Sequence, residues 1–384
     1  MRRTHPVTRL GSREALLREA LETVSEIASD WLRSRALRKL ARLLPGELHG
    51  AALAMARGIS EPGARARALN DLARQLSGEE KQAALEEALF TARGIQEAAA
   101  RGAALGAAAA QLEGQAAEFA GREALQALRN SPDLSERAFY LSQLPDALME
   151  EALAEARRFP QGWIQASTLA ALARRAPDEG RPAVFSEALS LAWSLPAAGM
   201  RALLLCDLAE AADQALQPEL ASQALETAQT SGEDSVHATV ASLLAGLLPA
   251  ELLPQAVQSA LAIQDRSLRA SALAALAAFM EPGESQVTVD TAFQDVMSLT
   301  DDWSCASALY PLAGLLDEAQ REEALALVLG FTDEWAKAEA LGDLSEHFPD
   351  ERKQQILARA LSAARRAPSA WSRAQALASV ASHL

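Results

Sequence analysis

Histidine and cysteine, which commonly serve as metal ligands and catalytic groups, are sparse in this sequence and do not fall into catalytic spacings. The 384-residue chain has five histidines and two cysteines, with no two histidines four residues apart. They are His5, His49, His237, His347, His383, Cys206 and Cys305. No Gly-rich phosphate loop is present, and no carboxylate can be assigned as an acid or base. We therefore predict no catalytic residue, metal site or cofactor, and expect that the chain is not an enzyme.

Tryptophan follows a clear pattern. Five of the six tryptophans lie at one position of an internal repeat, five residues before the residue that we use to anchor each copy. They are Trp31, Trp163, Trp303, Trp335 and Trp371. Each indole would either pack under a turn and seal it to the next hairpin, or join a strip that binds a ligand or peptide. The last three belong to consecutive copies and are predicted binding residues, with packing as the competing interpretation.

Basic side chains cluster in the first two copies of the repeat. They are Arg35, Arg38, Lys39 and Arg42, followed by Arg67 and Arg74. We predict that these six side chains are exposed and able to bind an anionic surface. Tyr310, beside Pro311 in the ninth copy, is a further candidate, because an irregular repeat could shape a pocket.

A second basic set stands three positions before the anchor and is predicted to be structural. It comprises Arg33, Arg65, Arg101, Arg137, Arg201, Arg269, Lys337 and Arg373, with His237 in the seventh copy. On a helical wheel this position points into the apolar arc, so the side chains should lie between helices with their heads near the carboxyl end of the preceding helix. In seven copies an acid precedes this position by four residues, which suits both ion pairing and the helix dipole.

All these positions are defined by a repeat that runs through the chain. The anchors are Ala36, Ala68, Ala104, Tyr140, Thr168, Leu204, Val240, Ala272, Ala308, Ala340 and Ala376. The ten intervals average 34 residues, and the residue two positions before each anchor is always Ala, Gly or Ser. Apolar residues lie on one side of a 3.6-residue helix, and a second amphipathic helix precedes each copy. We predict an all-α, right-handed solenoid of about eleven helical hairpins, in which neighbouring hairpins supply the core.

Three copies are irregular and mark places where the stacking could change. The fourth has Pro132 and Pro145 around a shortened second helix, which predicts a bend near residues 129–146. The seventh has Thr-Ser-Gly-Glu-Asp at the end of its first helix, and Pro311 in the ninth should kink the second helix.

The net charge of −15 is unevenly distributed. Residues 1–76 carry 14 basic and 8 acidic side chains, residues 351–384 carry 6 and 1, and the remainder carries 16 and 42. The net charges are thus +6, +5 and −26. Either this is an acidic solenoid with charged ends, or the ends meet anionic surfaces while the middle attracts a basic partner.

The organisation that we expect is a flexible leader over residues 1–11 and one solenoid domain over residues 12–384. The leader lacks the apolar core of a signal peptide, and no segment is long and apolar enough to span a membrane. Two isolated cysteines favour free thiols and a cytoplasmic location. The chain stops on the apolar end of the last copy without a polar capping helix, so either a second subunit covers this end, or the chain is a fragment of something longer, or the last copy tolerates exposure. Of these, we favour self-association.

The alternation of W-x-R-A-x-A-L-x-x-L-A-x-x-L-P with A-L-x-x-A-L-x-x-A-x-x-I, which extends from about residue 12 to the end, resembles the HEAT-like and TPR-like α-solenoids of bacteria. It is most similar to Ala/Leu-rich arrays found beside signalling NTPase or protease domains, where the array is a sensor or docking surface. The sequence shows no such effector domain. The Gly-and-Tyr signature of the TPR first helix is also missing, so the peptide-binding residues of that family are not carried over.

The function predicted from the sequence is a non-enzymatic scaffold that binds a protein or peptide. Nucleic-acid binding through the basic N-terminal hairpins is an alternative, although the acidic middle of the chain disfavours it. A small-molecule binder or enzyme with a pocket at an irregular copy is a third hypothesis.

Overall fold

The computed structural model describes residues 12–384, and all regular secondary structure in this range is helical. The predicted all-α class is therefore confirmed, while the predicted flexible leader lies outside the described residues. The helices are α1 (Arg13–Ser25), α2 (Asp30–Ala41), α3 (Gly46–Arg57), α4 (Pro62–Ala73), α5 (Gly78–Arg93), α6 (Ala98–Ala109), α7 (Gly114–Arg129), α8 (Leu134–Leu141), α9 (Met149–Ala156), α10 (Trp163–Ala173), α11 (Arg181–Ser194), α12 (Ala198–Ala211), α13 (Gln217–Ser231), α14 (Asp234–Leu244), α15 (Leu253–Leu261), α16 (Arg266–Ala277), α17 (Pro282–Met297), α18 (Asp302–Leu309), α19 (Glu318–Leu329), α20 (Glu334–Ser345), α21 (Asp350–Arg366) and α22 (Ala370–Ser382). Two short 3₁₀ turns cover Asp146–Leu148 and Ala250–Leu252.

The 22 helices of the described chain form eleven successive hairpins, and the second helix of every hairpin contains one anchor. The helices pack against their neighbours in sequence, as expected for a solenoid-like arrangement. A stack of this kind buries the apolar face of each hairpin against the next one.

The described residues divide into two compact units. Unit 1 comprises residues 12–64, 266–278 and 282–384, and unit 2 comprises residues 65–265 and 279–281. The repeat pattern continues across these boundaries and gives no sign of them, so the sequence analysis did not predict this division.

In unit 2 the second helices α6, α8, α10 and α12 pack side by side, and each of α7 and α13 packs on the second helix before it. Leu105, Leu141 and Leu169 belong to the buried core. The small residue two positions before the anchor is buried in all eleven copies of the described chain. A Cβ atom added to Gly102 would lie 2.7 Å from Leu128. The absence of a side chain at Gly102 thus permits a close approach of α6 and α7.

Two glycines of α6 provide a matched test of this packing. Ala is the better helix former by about 1 kcal/mol, so Gly→Ala should stabilise a helix where space permits. At Gly106 the nearest atom to an added Cβ would be 3.5 Å away, which is an ordinary contact. We expect Gly106→Ala to raise the urea midpoint, and Gly102→Ala to lower it because Leu128 and the Ala124 carbonyl must move. A higher midpoint for both variants would contradict the close approach at Gly102.

In unit 1 the first and last hairpins of the described chain are in contact. Helix α1 packs on α22 in the same way as α21 packs on α20. Helix α2 likewise lies beside α22 in the same way as α22 lies beside α20. Arg365 forms a bidentate ion pair with Glu19, with N–O distances of 2.8 and 2.7 Å. These residues occupy the same repeat positions as the Arg93–Glu123 and Arg157–Glu187 pairs of unit 2. The first hairpin therefore follows the last one in the manner of a next repeat.

This contact corrects one premise of the sequence analysis. The last hairpin was expected to lack a cover, but α1 and α2 pack against α22, and Leu377, Val380 and Ala381 are almost fully buried. The argument for self-association from an uncovered last repeat no longer applies, and oligomerisation through that end stays a prediction.

Two of the three irregular copies, the fourth and the ninth, have a second helix of only eight residues. Helix α8 has only eight residues, as Pro145 predicted. The predicted kink at Pro311 is wrong: α18 ends at Leu309 and Tyr310 is its C-cap residue. Since Pro cannot donate the helical hydrogen bond, the chain leaves the helix just before it.

Candidate functional site

The second helices of the last three hairpins bring Trp303, Trp335 and Trp371 into one continuous row. Trp303 and Trp335 have ring centroids 4.5 Å apart at an interplanar angle of 76°, and Trp335 and Trp371 are 4.8 Å apart at 85°. This is the edge-to-face geometry that aromatic pairs prefer. Each indole is half-buried. The three indoles thus lie side by side along consecutive repeats, and we call them the tryptophan row.

Helix capping positions this row. Asp301, Asp333 and Ser369 are the N-cap residues of α18, α20 and α22, and each accepts a hydrogen bond from a backbone N–H in the first helical turn. The backbone hydrogen bond from Ser304 holds the pKa of Asp301 below its usual range. Because each tryptophan lies in the first turn after its cap, the caps fix the orientation of the backbone from which the indoles project.

A second carboxylate ties neighbouring repeats together. The Asp302 carboxylate accepts hydrogen bonds from the backbone N–H groups of Thr332 (2.6 Å) and Asp333 (2.8 Å) in the next repeat. Burial alone would raise the pKa of Asp302, but these bonds lower it. Asp30 and Asp234 form the same bridge to residues 60–61 and 264–265. Sequence reasoning missed this device, although all three acids share the position six before an anchor.

Glu339 lies beside the row and accepts three hydrogen bonds. Its donors are Trp335 Nε1 at 3.1 Å, Lys39 Nζ at 3.1 Å and Ser379 Oγ at 2.9 Å. Lys39 also donates to the Gln375 carbonyl at 3.2 Å. Lys39 was predicted to be exposed; instead it is part-buried and attaches α2 to α20 and α22. A carboxylate that satisfies three donors at a shielded site is a strong local constraint.

Removing this carboxylate tests its contribution. In Glu339→Ala the Trp335 N–H and the Lys39 ammonium lose their acceptor, which should lower the free energy of unfolding by about 1–3 kcal/mol. Hydrogen exchange in α2 should also accelerate. The matched control is Glu323→Ala, at an exposed site on α19. Equal thermal midpoints and equal α2 exchange in both variants would show that the Glu339 contacts do not hold α2.

The six predicted basic residues are divided between the two units, with four in unit 1 and two in unit 2. Arg35, Arg38 and Arg42 are exposed on α2 in unit 1, and the Arg35 guanidinium carbon lies 4.7 Å from the centroid of the Trp31 ring. In unit 2, Arg67 is half-buried and Arg74 is exposed. Exposure is thus confirmed for four of the six side chains.

The arginines three before the anchor are structural, as predicted. Arg33 and Arg101 donate to the carbonyl groups of Ile27 (2.6 Å) and Ile95 (2.7 Å), and Arg201 and Arg373 make the equivalent bonds to Leu195 and Ala367. These carbonyls lie just after the preceding helix. The acids four residues before Arg101 and Arg137 are Glu97 and Asp133, which cap helices α6 and α8 through backbone N–H groups.

Glu155 is a buried carboxylate, and its ion pairs with arginines explain why it can be buried. It receives ion pairs from Arg129, Arg137 and Arg158 at 3.0, 2.6 and 3.1 Å. Burial alone would raise the pKa of Glu155, yet hydrogen bonds from Arg129 and Arg137 lower it. A general acid at neutral pH needs a raised pKa, whereas that of Glu155 is lowered. We therefore assign this cluster a structural role in packing the irregular fourth hairpin.

Three recesses in the part of the chain that the structure describes are small or open. The recess beside exposed Tyr310 admits no water molecule, so the predicted pocket is not present there. A recess of about 250 Å³ lies between α8 and α10 beside Phe139 and Trp163. An open groove of about 610 Å³ is lined by Phe119 and Arg101, with Arg93 at its wall paired to Glu123.

The thiols show no sign of activation. Cys206 and Cys305 are free and buried, and burial raises the pKa of both thiols. A thiol in such an environment is a poor nucleophile. Among residues 12–384 no group of three or more His, Cys, Asp and Glu side chains is placed to hold a metal ion. No helix in the same range is long and apolar enough to cross a membrane.

His383 fixes the end of α22 to α20. Its Nδ1 lies 3.1 Å from Glu346 Oε1, and its Nε2 lies 3.5 Å from Asp343 Oδ1. Lys353 also donates to Glu346. Burial alone would lower the pKa of His383, but the hydrogen bonds to Asp343 and Glu346 raise it. The pKa of His347 is shifted in the other direction, by burial and then by Arg321.

The raised pKa of His383 predicts a pH dependence of stability. Its contribution is complete below the unfolded pKa of about 6.5 and is lost as the pH rises through the higher folded pKa. Stability should therefore decline as the pH rises, and His383→Gln should remove the part of that decline that His383 causes. Thermal midpoints between pH 6 and pH 9 measure this effect. His347→Gln is the control. Because the folded-state pKa of His347 is lowered, this histidine destabilises the fold as the pH falls, which is the opposite pH dependence. Identical profiles for wild type and His383→Gln would refute the pairing.

Comparisons with known proteins leave the family open. No protein-family model matches the chain, and no curated protein matches it. Among solved structures the chain is similar to one titled as the crystal structure of Ton1535 from Thermococcus onnurineus NA1. The identity is 14%, the TM-score is 0.33, and the match covers 86% of this chain and 94% of that chain. A TM-score at this level carries no functional argument, and the resemblance to HEAT-like and TPR-like repeats stays a prediction.

Proposed function

We propose that this protein is a non-enzymatic interaction solenoid that binds a protein or peptide partner along the tryptophan row. The observation that carries the proposal is the row itself, in which three half-buried indoles from consecutive repeats lie in continuous edge-to-face contact. Tryptophan supplies a large, rigid contact area and is enriched among the residues that dominate binding energy at interfaces.

The surroundings of the row support a binding role. Capped helices hold the three backbones, and the Asp302 bridge fixes one repeat to the next. A binding surface on rigid elements loses little conformational freedom when a partner docks. The free, buried thiols support the predicted cytoplasmic location.

Two alternatives rest on other features. Exposed Arg35, Arg38 and Arg42 support nucleic-acid binding, but the net charge of −15 opposes a polyanion. A salt-dependent gel shift that is lost on charge reversal of these arginines would favour that function. A small-molecule binder would use the recess beside Phe139, whose volume of about 250 Å³ is below the usual range for ligand pockets.

Affinity capture with one matched variant tests the proposal. Wild type, Trp303→Ala and Trp193→Ala would be immobilised and exposed to nuclease-treated lysate, and retained proteins identified by mass spectrometry. Trp303 ends the row, whereas Trp193 is 46% exposed on α11 in unit 2. We expect a partner that wild type and Trp193→Ala retain and that Trp303→Ala loses by at least about tenfold, which corresponds to 1.4 kcal/mol of binding free energy.

Circular dichroism must show that both variants are folded. Equal retention by Trp303→Ala and wild type would contradict binding at the row. If Trp193→Ala loses the partner and Trp303→Ala keeps it, the binding surface lies elsewhere.

A further inference from the structure

The open groove of about 610 Å³ in unit 2 is lined along one side by helix α7. Four of its lining residues are spaced i, i+3, i+7 and i+11 in the sequence, which is the spacing of one side of a helix. They are Phe119, Arg122, Gln126 and Asn130, and all four are exposed. At 1.5 Å per residue they extend over about 16 Å of helix axis. Arg101 of α6 also lines this site, which we call the α7 groove.

In three other copies the arginine three before the anchor pairs with a carboxylate of the neighbouring hairpin. The pairs are Arg137–Glu155, Arg269–Asp295 and Arg373–Glu26, with distances from the arginine Nη2 to the carboxylate oxygen of 2.6, 2.6 and 2.9 Å. The first two acids lie thirteen residues before an anchor, and the third lies ten residues before one. A carboxylate from the next hairpin is therefore the partner that this guanidinium takes within the chain.

The α7 groove lacks that carboxylate. The two equivalent positions of the fourth hairpin are Ala127 and Asn130, and both line the groove. Arg101 donates from Nη1 to the carbonyls of Ile95 (2.7 Å) and Gln96 (3.3 Å), and no carboxylate of residues 12–384 pairs with it. The groove thus lies at the place that an acid occupies in the other three copies, and its guanidinium can accept a carboxylate from another molecule.

The charge of the α7 groove also favours an anion. Arg93 and Glu123 neutralise each other through an ion pair of 2.8 Å. Within the described chain Arg122 pairs with Glu118 alone, at 3.3 Å, and both side chains are largely exposed. Because a surface ion pair of this kind contributes little, Arg122 can exchange Glu118 for another acid. Arg101 and Arg122 therefore make the groove basic, although it lies in the acidic middle of the chain.

We propose that the α7 groove binds an extended acidic segment of a partner protein. One carboxylate of the segment pairs with Arg101 and Arg122, and an apolar side chain two residues away, on the same side of the extended chain, packs on Phe119. Gln126 and Asn130 offer amide groups to the backbone of the segment. The Phe119 side chain is 61% exposed, so this contact removes apolar surface from water. The inference goes beyond the proposed function, because it assigns a second binding site with its own ligand chemistry.

A polynucleotide or a free anion fits the groove less well. Nucleic-acid affinity grows with the number of phosphates neutralised, and two arginines within a chain of net charge −15 neutralise few. A free anion would leave the Phe119 ring in water. A peptide that carries one acid and one apolar side chain satisfies both parts of the site.

Three labelled peptides with blocked ends test the ligand chemistry. Their sequences are Ser-Phe-Ser-Glu-Ser, Ser-Phe-Ser-Gln-Ser and Ser-Ala-Ser-Glu-Ser, and fluorescence anisotropy measures their binding to the full chain. The first peptide should bind at least tenfold more tightly than either of the others, because the second lacks the carboxylate and the third lacks the apolar side chain.

Asn130→Glu is the most informative variant, because it supplies a carboxylate at the repeat position of Glu26. The new side chain should pair with Arg101, raise the thermal midpoint and weaken the first peptide by tenfold or more. The rise in midpoint separates a blocked groove from a folding defect. Ser190→Glu adds the same charge at an exposed site on α11 and should leave the affinity unchanged.

Arg122→Gln should also weaken the first peptide by tenfold or more without altering the circular dichroism spectrum. Its control is Arg18→Gln. Arg18 lies at the same repeat position on α1 and pairs with Glu14 four residues before it, as Arg122 pairs with Glu118. The control variant should bind the peptide as wild type does.

Several results would overturn the inference. The first is no binding of the Phe-and-Glu peptide at about 1 mM, the weak end of specific affinities. Equal affinity for the Glu and Gln peptides would show that the carboxylate is not recognised, and equal affinity for the Phe and Ala peptides would reduce the groove to a simple anion site. Tighter binding of a thymidine oligonucleotide would favour nucleic acid. A folded Asn130→Glu variant with wild-type affinity would place the peptide elsewhere.

Discussion

None of the eleven hairpins over residues 12–384 can bury its apolar face alone, and the packing between hairpins follows from that constraint. Each second helix must approach its neighbour closely, so the position two before the anchor is small and buried in every copy of the described chain. A hairpin at the end of a stack would leave one face in water. In unit 1 the first and last hairpins pack on each other, so each covers the other's apolar face. The Arg365–Glu19 ion pair at this contact occupies the repeat positions that form ion pairs between neighbouring repeats in unit 2. The same pattern that joins neighbours in sequence thus also joins residues more than 300 positions apart.

Periodicity made much of the fold predictable. Anchors at a mean spacing of 34 residues predicted the eleven hairpins, and apolar residues on one side of a 3.6-residue helix predicted which side of each second helix is buried. Pro145 predicted the short α8, because the effect of proline on a helix is local. The effect of Pro311 was predicted less well, because a helix can either kink or end at proline, and α18 ends at Leu309.

The candidate site was predictable only where it follows the repeat. Trp303, Trp335 and Trp371 share one repeat position, so their alignment follows from the stacking of hairpins. Lys39 and Ser379 share the position three after an anchor and Glu339 lies one before its own anchor, but Lys39 reaches Glu339 only because the first and last hairpins are in contact. No spacing in the sequence carries that information. The uneven distribution of charge can be read from the sequence. Whether Lys39 is exposed or paired cannot, because it depends on a contact with a residue 300 positions away.

The contact between the chain ends also changes the meaning of their charge. Two separate basic ends would suggest two separate anionic partners, whereas unit 1 contains both the basic α2 and the basic α21 and α22. Glu19, Glu26 and Glu339 pair with Arg365, Arg373 and Lys39 at this contact. Part of the positive charge therefore stabilises the contact between hairpins and is not available to a partner.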